Sequence, residues 1–304
     1  MDIYQLIMEV NPSFTFPQAL RYVAEKTGKR IVTERQNGFG LEKTKIDDWE
    51  WINKVTYKKP KMTDELPSYD EKILDIFMDS PHNSWLEEGI TEEVMREAEI
   101  KYYFSQGSII IPHRDINNRL IGIRQRNTLR EEIEAGRKYI PVRVANGTMY
   151  NHTTAYNLYN LNRSKETIQR MRKVVIYEGE KSCLLNRVYY GDYDFSVAVC
   201  GSNISSWQVN TILNLNVEEV FIAFDKFRDK KENESDEVYE GQHNAYKDKL
   251  LRLANMFTPF VRTYVLYDDF DLLEGKNSPI DGGKQKLEEL MYNKYEIRTK
   301  DVED

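Results

Sequence analysis

Two apolar runs that each end in a carboxylate constrain this chain most. Val174-Val175-Ile176 leads into Tyr177-Glu178-Gly179-Glu180, and Val220-Phe221-Ile222-Ala223-Phe224 leads into Asp225, 47 positions after Glu178. Short apolar runs of this kind, separated by helical spacing, read as buried strands of a parallel sheet. From Lys173 the alternation is regular: strands over 174–177, 196–200, 219–224 and 262–267, with helices over about 180–190, 205–214 and 241–255 between them. Each crossover contains a helix, so parallel pairing and right-handed connections are expected. Residues just past the carboxyl ends of such strands converge on one sheet edge, where ligands and metals bind. Glu178 and Asp225 are thus placed together.

A chain of 304 residues is long enough for about two ordinary domains. Hydrophobic residues at 40% and charged residues at 31% fit a soluble globular protein. No apolar run approaches the roughly 18 to 20 residues needed to span a bilayer, and Met1-Asp2-Ile3-Tyr4 does not open a secretory signal. A cytoplasmic protein without a membrane partner is expected. Cys183 and Cys200 are the two cysteines, and the four histidines lack ligand spacing, so neither a disulfide scaffold nor a Cys/His zinc site is expected. Both thiols read as buried and structural.

Ahead of the α/β region the organisation is mixed. Residues 1–32 read as a small helical unit, with a capped helix start at Thr15, Pro17 and Gln18 and a stop at Gly28. The polar stretch 33–70 reads as a linker. Residues 71–172 begin with helical segments near Ile73–Phe77 and Thr91–Ala98, then change to strands: Ser108–Pro112 and Leu120–Ile123 form a hairpin turning at Asn117-Asn118. Residues 173–272 are the α/β domain, carrying a charged insertion at 228–241, and 273–304 a C-terminal helical segment.

Acidic groups on one edge repel unless a cation joins them, and oxygen donors suit Mg²⁺ or Mn²⁺. Asp268-Asp269-Phe270-Asp271 follows the strand Tyr264-Val265-Leu266 and should open onto the same edge as Glu178 and Asp225, with Asp281 further along. Solvated loop acids are the alternative. Glycine at 179 is expected to let the chain turn sharply beside Glu178. The net charge of −7 argues against a broad nonspecific nucleic-acid coat, yet His113–Arg143 holds eight basic and four acidic residues. Arg114, Arg124 and Arg126, extended by Arg137 and Lys138, make a candidate phosphate-binding strip, because guanidinium forks match phosphate oxygens. Ordinary arginines on an exposed β-ribbon are the alternative.

These residues resemble the catalytic core of bacterial and phage DnaG-type DNA primases, which carries a Toprim domain. Glu178-Gly179 resembles the family's glutamate motif, Ala198-Val199-Cys200-Gly201-Ser202 its second-strand segment, and Phe221 to Asp225 the strand into its Asp-x-Asp motif. Upstream, Ile109 to Asp115 and Arg119 to Arg126 are similar to the basic template-binding hairpin, and Lys138-Tyr139-Ile140 and Asn157 to Leu161 to two shorter motifs. Residues 85 to about 290 are covered, and 1–28 resemble the helical tail after a primase zinc ribbon. Departures are local: Phe227 replaces the second aspartate of Asp-x-Asp, Asn277 stands where an aspartate is usual, Ser182 where many members have an acid, and no zinc ribbon or helical helicase-binding tail is found.

The resemblance implies an α/β fold, α+β overall, with a Toprim-like domain, a basic N-terminal polymerase subdomain and a small helical N-terminal segment. It implies RNA primer synthesis on single-stranded DNA from ribonucleoside triphosphates with Mg²⁺ or Mn²⁺. Glu178 and Asp225 would be catalytic and bind metal with Asp269, Asp271 and Asp281. Arg114, Arg119, Arg124, Arg126, Arg137, Lys138 and Lys181 would hold nucleic acid or nucleotide. A replicative helicase and a separate zinc-ribbon protein are candidate partners. A catalytically weak nucleic-acid-binding or regulatory protein and a Toprim nuclease are the competing functions.

Overall fold

The computed structural model describes residues 3–27 and 66–298. The chain divides into two units, 1–61 and 62–304. In the first, α1 (Ile3–Val10) and α2 (Phe16–Thr27) form a helical pair, with the Tyr4 and Phe16 rings edge-to-face at 5.7 Å. Thr15 starts α2 as expected: its N–H and hydroxyl both donate to the Gln18 side-chain oxygen, at 2.7 and 2.8 Å. Positions 28–65, including most of the expected linker, lie outside the described residues.

Within the second unit two sheets share the work. The first is antiparallel, in the order β1 (Lys101–Tyr103), β2 (Ser108–Arg114), β3 (Leu120–Asn127), β4 (Tyr139–Pro141). It is preceded by a 3₁₀ turn over Glu71–Ile76 and by the short helices α3 (Asn83–Glu87) and α4 (Glu92–Glu97). The β2–β3 hairpin turns at Asn117-Asn118, where Asn118 has φ 66° and the Asp115 carboxylate accepts the N–H groups of Asn117 and Arg119 at 2.9 Å. An aspartate bonding its own turn backbone is a local reason for the chain to reverse there. Strand β2 is buried on both faces, with Ile109 and Ile111 in the main core and Ile110 in a smaller core with Leu74, Phe77 and Ile123. Arg130–Glu134 (α5) follows β3, and α6 (Leu161–Met171) leads into the second sheet.

That sheet has the order β6-β5-β7-β8-β9, from β5 (Lys173–Tyr177), β6 (Ser196–Ala198), β7 (Glu219–Ala223), β8 (Arg262–Val265) and β9 (Tyr295–Ile297). The first four strands are parallel, joined by α7 (Glu180–Tyr190), α8 (Ser206–Leu213) and α9 (Asp236–Ala254). Strand β9 follows α10 (Lys284–Tyr292) and pairs antiparallel to β8, where the sequence reading had helix alone. Helix α9 also begins inside the expected insertion, capped by Ser235, whose hydroxyl accepts the Val238 N–H. Asn157–Leu161 joins the two halves: Tyr159 exchanges backbone hydrogen bonds with Ala198, and Asn160 donates to the buried Asp194 at 2.8 Å. No helix among the described residues is long and apolar enough to cross a membrane.

Candidate active site

Strands β5 and β7 are neighbours with Tyr177 opposite Ala223, so the chain leaves both strands at one edge and carries Glu178 and Asp225 there. Sheet order also reverses at β5, whose neighbours β6 and β7 lie on opposite sides, which makes this edge a topological switch point. The structure brings the two carboxylates together, close enough for the charge of Glu178 to act on Asp225. Burial pushes the Glu178 carboxyl above its usual range, and Lys249 of α9, at 3.7 Å, opposes this in part. Asp225 is pushed up to about 7, first by burial and then by the charges of Glu178 and Asp281. Gly179 has extended backbone, φ −124° and ψ 161°, so the turn does not require glycine; a Cβ there would meet nothing within 4 Å, leaving open space over the edge.

Asp281 belongs to the same electrostatic group, since its charge acts on Asp225. One Asp281 oxygen accepts the Ser278 N–H at 3.0 Å and the other lies 2.8 Å from Lys181 Nζ. Lys181 also donates to Glu88 at 2.6 Å, so it bridges two carboxylates. The other two expected ligands are directed elsewhere. Asp271 pairs with Lys226, and Asp269 accepts the Tyr295 hydroxyl. Their neighbour Asp268 binds Lys226 at 3.2 Å and accepts the N–H groups of Leu272 and Leu273. The turn after β8 is therefore closed on itself, and Lys226, adjacent to Asp225, supplies its counter-charge. Glu178, Asp225 and Asp281 are oxygen donors of the kind a hard divalent cation takes, although their donor atoms do not all lie within 4.8 Å of one another; burial holds Glu178 above its usual pKa, and burial with the charges of Glu178 and Asp281 does so for Asp225.

The basic strip is far less bare than its local charge suggests. Arg114 is clamped by Glu71 at 2.6 Å and by Glu99 at 2.5 Å. Arg119 pairs with Asp115 at 2.7 Å, and Arg137 with Glu132 at 2.6 Å on the surface. Arg124 turns inward to the buried Glu180 at 2.7 Å. Arg126 lies over the Trp85 ring and reaches Glu88 at 3.1 Å, leaving its Nη1 buried without a hydrogen-bond partner. Lys138 is exposed over its length with its ammonium end partly covered, and it has no carboxylate at ion-pair distance among the described residues; that cover and the neighbouring Arg126 and Lys181 lower its pKa, while Glu88 and Asp225 oppose this. Of the seven expected cations, Lys138 and Lys181 act on Asp225, and Arg126 reaches Glu88, the second partner of Lys181. The residues that sequence reasoning missed are Glu88, Lys249 and Tyr246, whose hydroxyl donates to the Asp225 carbonyl at 2.5 Å. Their signal is weak, because all three belong to ordinary polar helix positions.

Beneath this edge is a buried polar knot. Glu180, the first residue of α7, accepts from Arg124 and contacts His113 Nε2 at 3.1 Å. Arg124 and His113 hold the Glu180 carboxyl down at about 2 although burial opposes them, while burial holds His152 at about 3 and keeps its ring neutral. Among the described residues His113, Glu180 and Cys200 bring ligand atoms within 4.8 Å of one another. Arg124 already neutralises that carboxylate, so a further cation there would leave excess buried charge.

No family model matches the chain. It is 47% identical over 309 residues to the SPbeta prophage-derived uncharacterized protein YorJ of Bacillus subtilis (strain 168), covering 98% of this chain and 80% of that protein. Among solved structures, the zinc-binding and RNA polymerase domains of Aquifex aeolicus primase align with a TM-score of 0.54 and 17% identity, over 98% of this chain and 71% of that one. A DnaG primase catalytic domain bound to ssDNA aligns with a TM-score of 0.51 and 14% identity, over 74% of this chain and 77% of that one. The chain therefore belongs to the family of the prophage protein YorJ, and its fold is that of the DnaG-type primase catalytic core.

Proposed function

We propose that this protein is a divalent-metal-dependent nucleotidyl transferase that makes short RNA primers on single-stranded DNA from ribonucleoside triphosphates. The observation that carries the reading is the carboxylate group Glu178–Asp225–Asp281 at the switch edge of a primase-like fold, with Arg126, Lys138 and Lys181 beside it. A bound Mg²⁺ or Mn²⁺ supplies charge neutralisation and Lewis acidity for displacement at a phosphorus. Glu178, Asp225 and Asp281 would hold the ion, Asp225 in its carboxylate form. Lys138 holds phosphate oxygens, Arg126 backs it from its place against Glu88 and Trp85, and Lys181 moves between its carboxylate partners and the nucleotide. Arg114 and Arg124 act within the protein, through their ion pairs. Arg119 and Arg137, each half exposed in a single ion pair, are left for template contact.

A priming assay on mixed single-stranded templates, with Mg²⁺ and Mn²⁺ compared, tests this. Wild-type protein should yield labelled primers, and Glu178→Gln should lose at least about 100-fold in rate, the scale of one electrostatic contact at a transition state, while keeping single-strand binding. Full activity in Glu178→Gln would remove the proposed role. Phe227, in place of a family aspartate, favours a second reading: a nucleic-acid-binding module that retains the fold with little catalysis. No dinucleotide with Mn²⁺ alongside retained DNA binding would select it. Cleavage of labelled DNA with metal and no nucleotides would select a Toprim nuclease.

A further inference from the structure

Beside the acid edge lies a cavity of about 250 Å³ that the reaction scheme above does not use, walled by the segment just after β7, by α9 and by the turn after β8. Its walls are aromatic. Phe227 stacks on the His243 imidazole at 5.2 Å with the planes 9° apart, and His243 stacks in turn near Tyr267, 6.2 Å away and tilted 20°. A 2.5 Å contact between His243 Nε2 and the Tyr267 hydroxyl ties the second and third of these nearly parallel rings. Tyr246 lies 5.5 Å from Phe227 and bonds the Asp225 carbonyl, tying the cavity wall to the acid edge. All four rings are half-buried, so they keep surface free for a ligand.

We propose that this cavity binds an unpaired nucleobase. A flat π-system extends an existing series of parallel rings, and base–aromatic stacking is indifferent to base identity. The volume falls below the roughly 300–1,000 Å³ of pockets for drug-sized ligands, which suits one ring system and not a whole nucleotide. Charge points the same way. The aspartates of the 268–271 turn line the cavity, with Lys226 already committed to two of them, so phosphate is disfavoured inside, whereas base amino and carbonyl groups find acceptors in that turn and a donor in Lys247. Phosphates remain at the edge carrying Asp225. Replacing a family aspartate by Phe227 thus exchanges a metal ligand for a stacking wall.

The base comes either from a free nucleotide or from an unstacked position of single-stranded DNA. The inference depends on the proposed nucleotidyl transfer only for that source; base binding itself needs neither metal nor turnover, so either idea can fail alone. The test titrates metal-free protein with adenosine and uridine, which lack phosphate, and with a single-stranded oligonucleotide carrying 2-aminopurine. Saturable nucleoside binding identifies a nucleotide base, and 2-aminopurine quenching identifies a template base; either supports the site. Binding should survive Glu178→Gln and weaken about 5- to 150-fold in Phe227→Leu, which keeps apolar bulk and removes the aromatic face. His243→Leu should do the same. Absence of both responses, or undiminished binding in the two folded variants, would overturn the proposal.

Discussion

Asp225 shows most directly what the acid edge does to its own residues. Its carboxyl titrates near 3.8 when unfolded and at about 7 in the folded chain, so between those values the folded state binds more protons. Metal-free stability must then fall as pH rises from about 4 to 7 and flatten above, because the charged form is the one that burial and Glu178 oppose. Asp225→Asn should remove this slope and stabilise the metal-free protein near pH 7.5 by on the order of 2 kcal/mol, read as a Tm increase of about 4–8 °C. A lower Tm at that pH would contradict the assignment. Glu178 and Asp225 were legible in the sequence because each ends a strand visible as a local apolar run. The state of the arginines was not: the partners of Arg114, Arg124 and Arg126 are Glu71, Glu99, Glu180 and Glu88, distant in sequence or in another element, and nothing in a local charge balance reports them. Asp269 and Asp271 are engaged by partners that a local reading does not report, the Tyr295 hydroxyl of β9 and Lys226.

At the level of elements, β3 and α7 are locked by close packing and a buried charge pair. Gly122 of β3 has no room for a side chain, as an added Cβ would come within 2.3 Å of His152 Nδ1 on a buried ring. Gly122→Ala should cost about 1–3 kcal/mol by displacing that ring, measured by urea denaturation; an unchanged midpoint would show that the ring moves freely. Glu180, at the start of α7, neutralises Arg124 of β3. Glu180→Ala should destabilise by about 3–5 kcal/mol by leaving a buried guanidinium unpaired, whereas Glu180→Leu combined with Arg124→Met should recover much of the loss. A double variant no better than the single one would reject the charge-pair account. The four parallel strands were readable because each is a short apolar run between helical periods. Strand β9, Tyr295-Glu296-Ile297, was hidden because three residues on an edge carry no periodicity. The start of α9 was hidden because its first turns, Asp236 to Gln242, are mostly polar and exposed, with Val238 and Tyr239 too few to show a helical period.

For the second unit as a whole, the antiparallel sheet carries Arg126 on β3 and Lys138 beside β4, the parallel strands carry Glu178 and Asp225 at their ends, and Asp281 precedes α10, so the proposed site draws on both sheets. The central claim is that Glu178, Asp225 and Asp281 form one cation site on that edge. Titration of the protein with Mn²⁺ in the absence of nucleotide, followed by electron paramagnetic resonance at pH 6 and pH 8, tests it most directly. Binding should be tighter at pH 8, because Asp225 with a pKa of about 7 must lose its proton to ligate, and should weaken at least 10-fold in Glu178→Gln and in Asp225→Asn. Mn²⁺ binding that is independent of pH across this range and undiminished in both variants would contradict it.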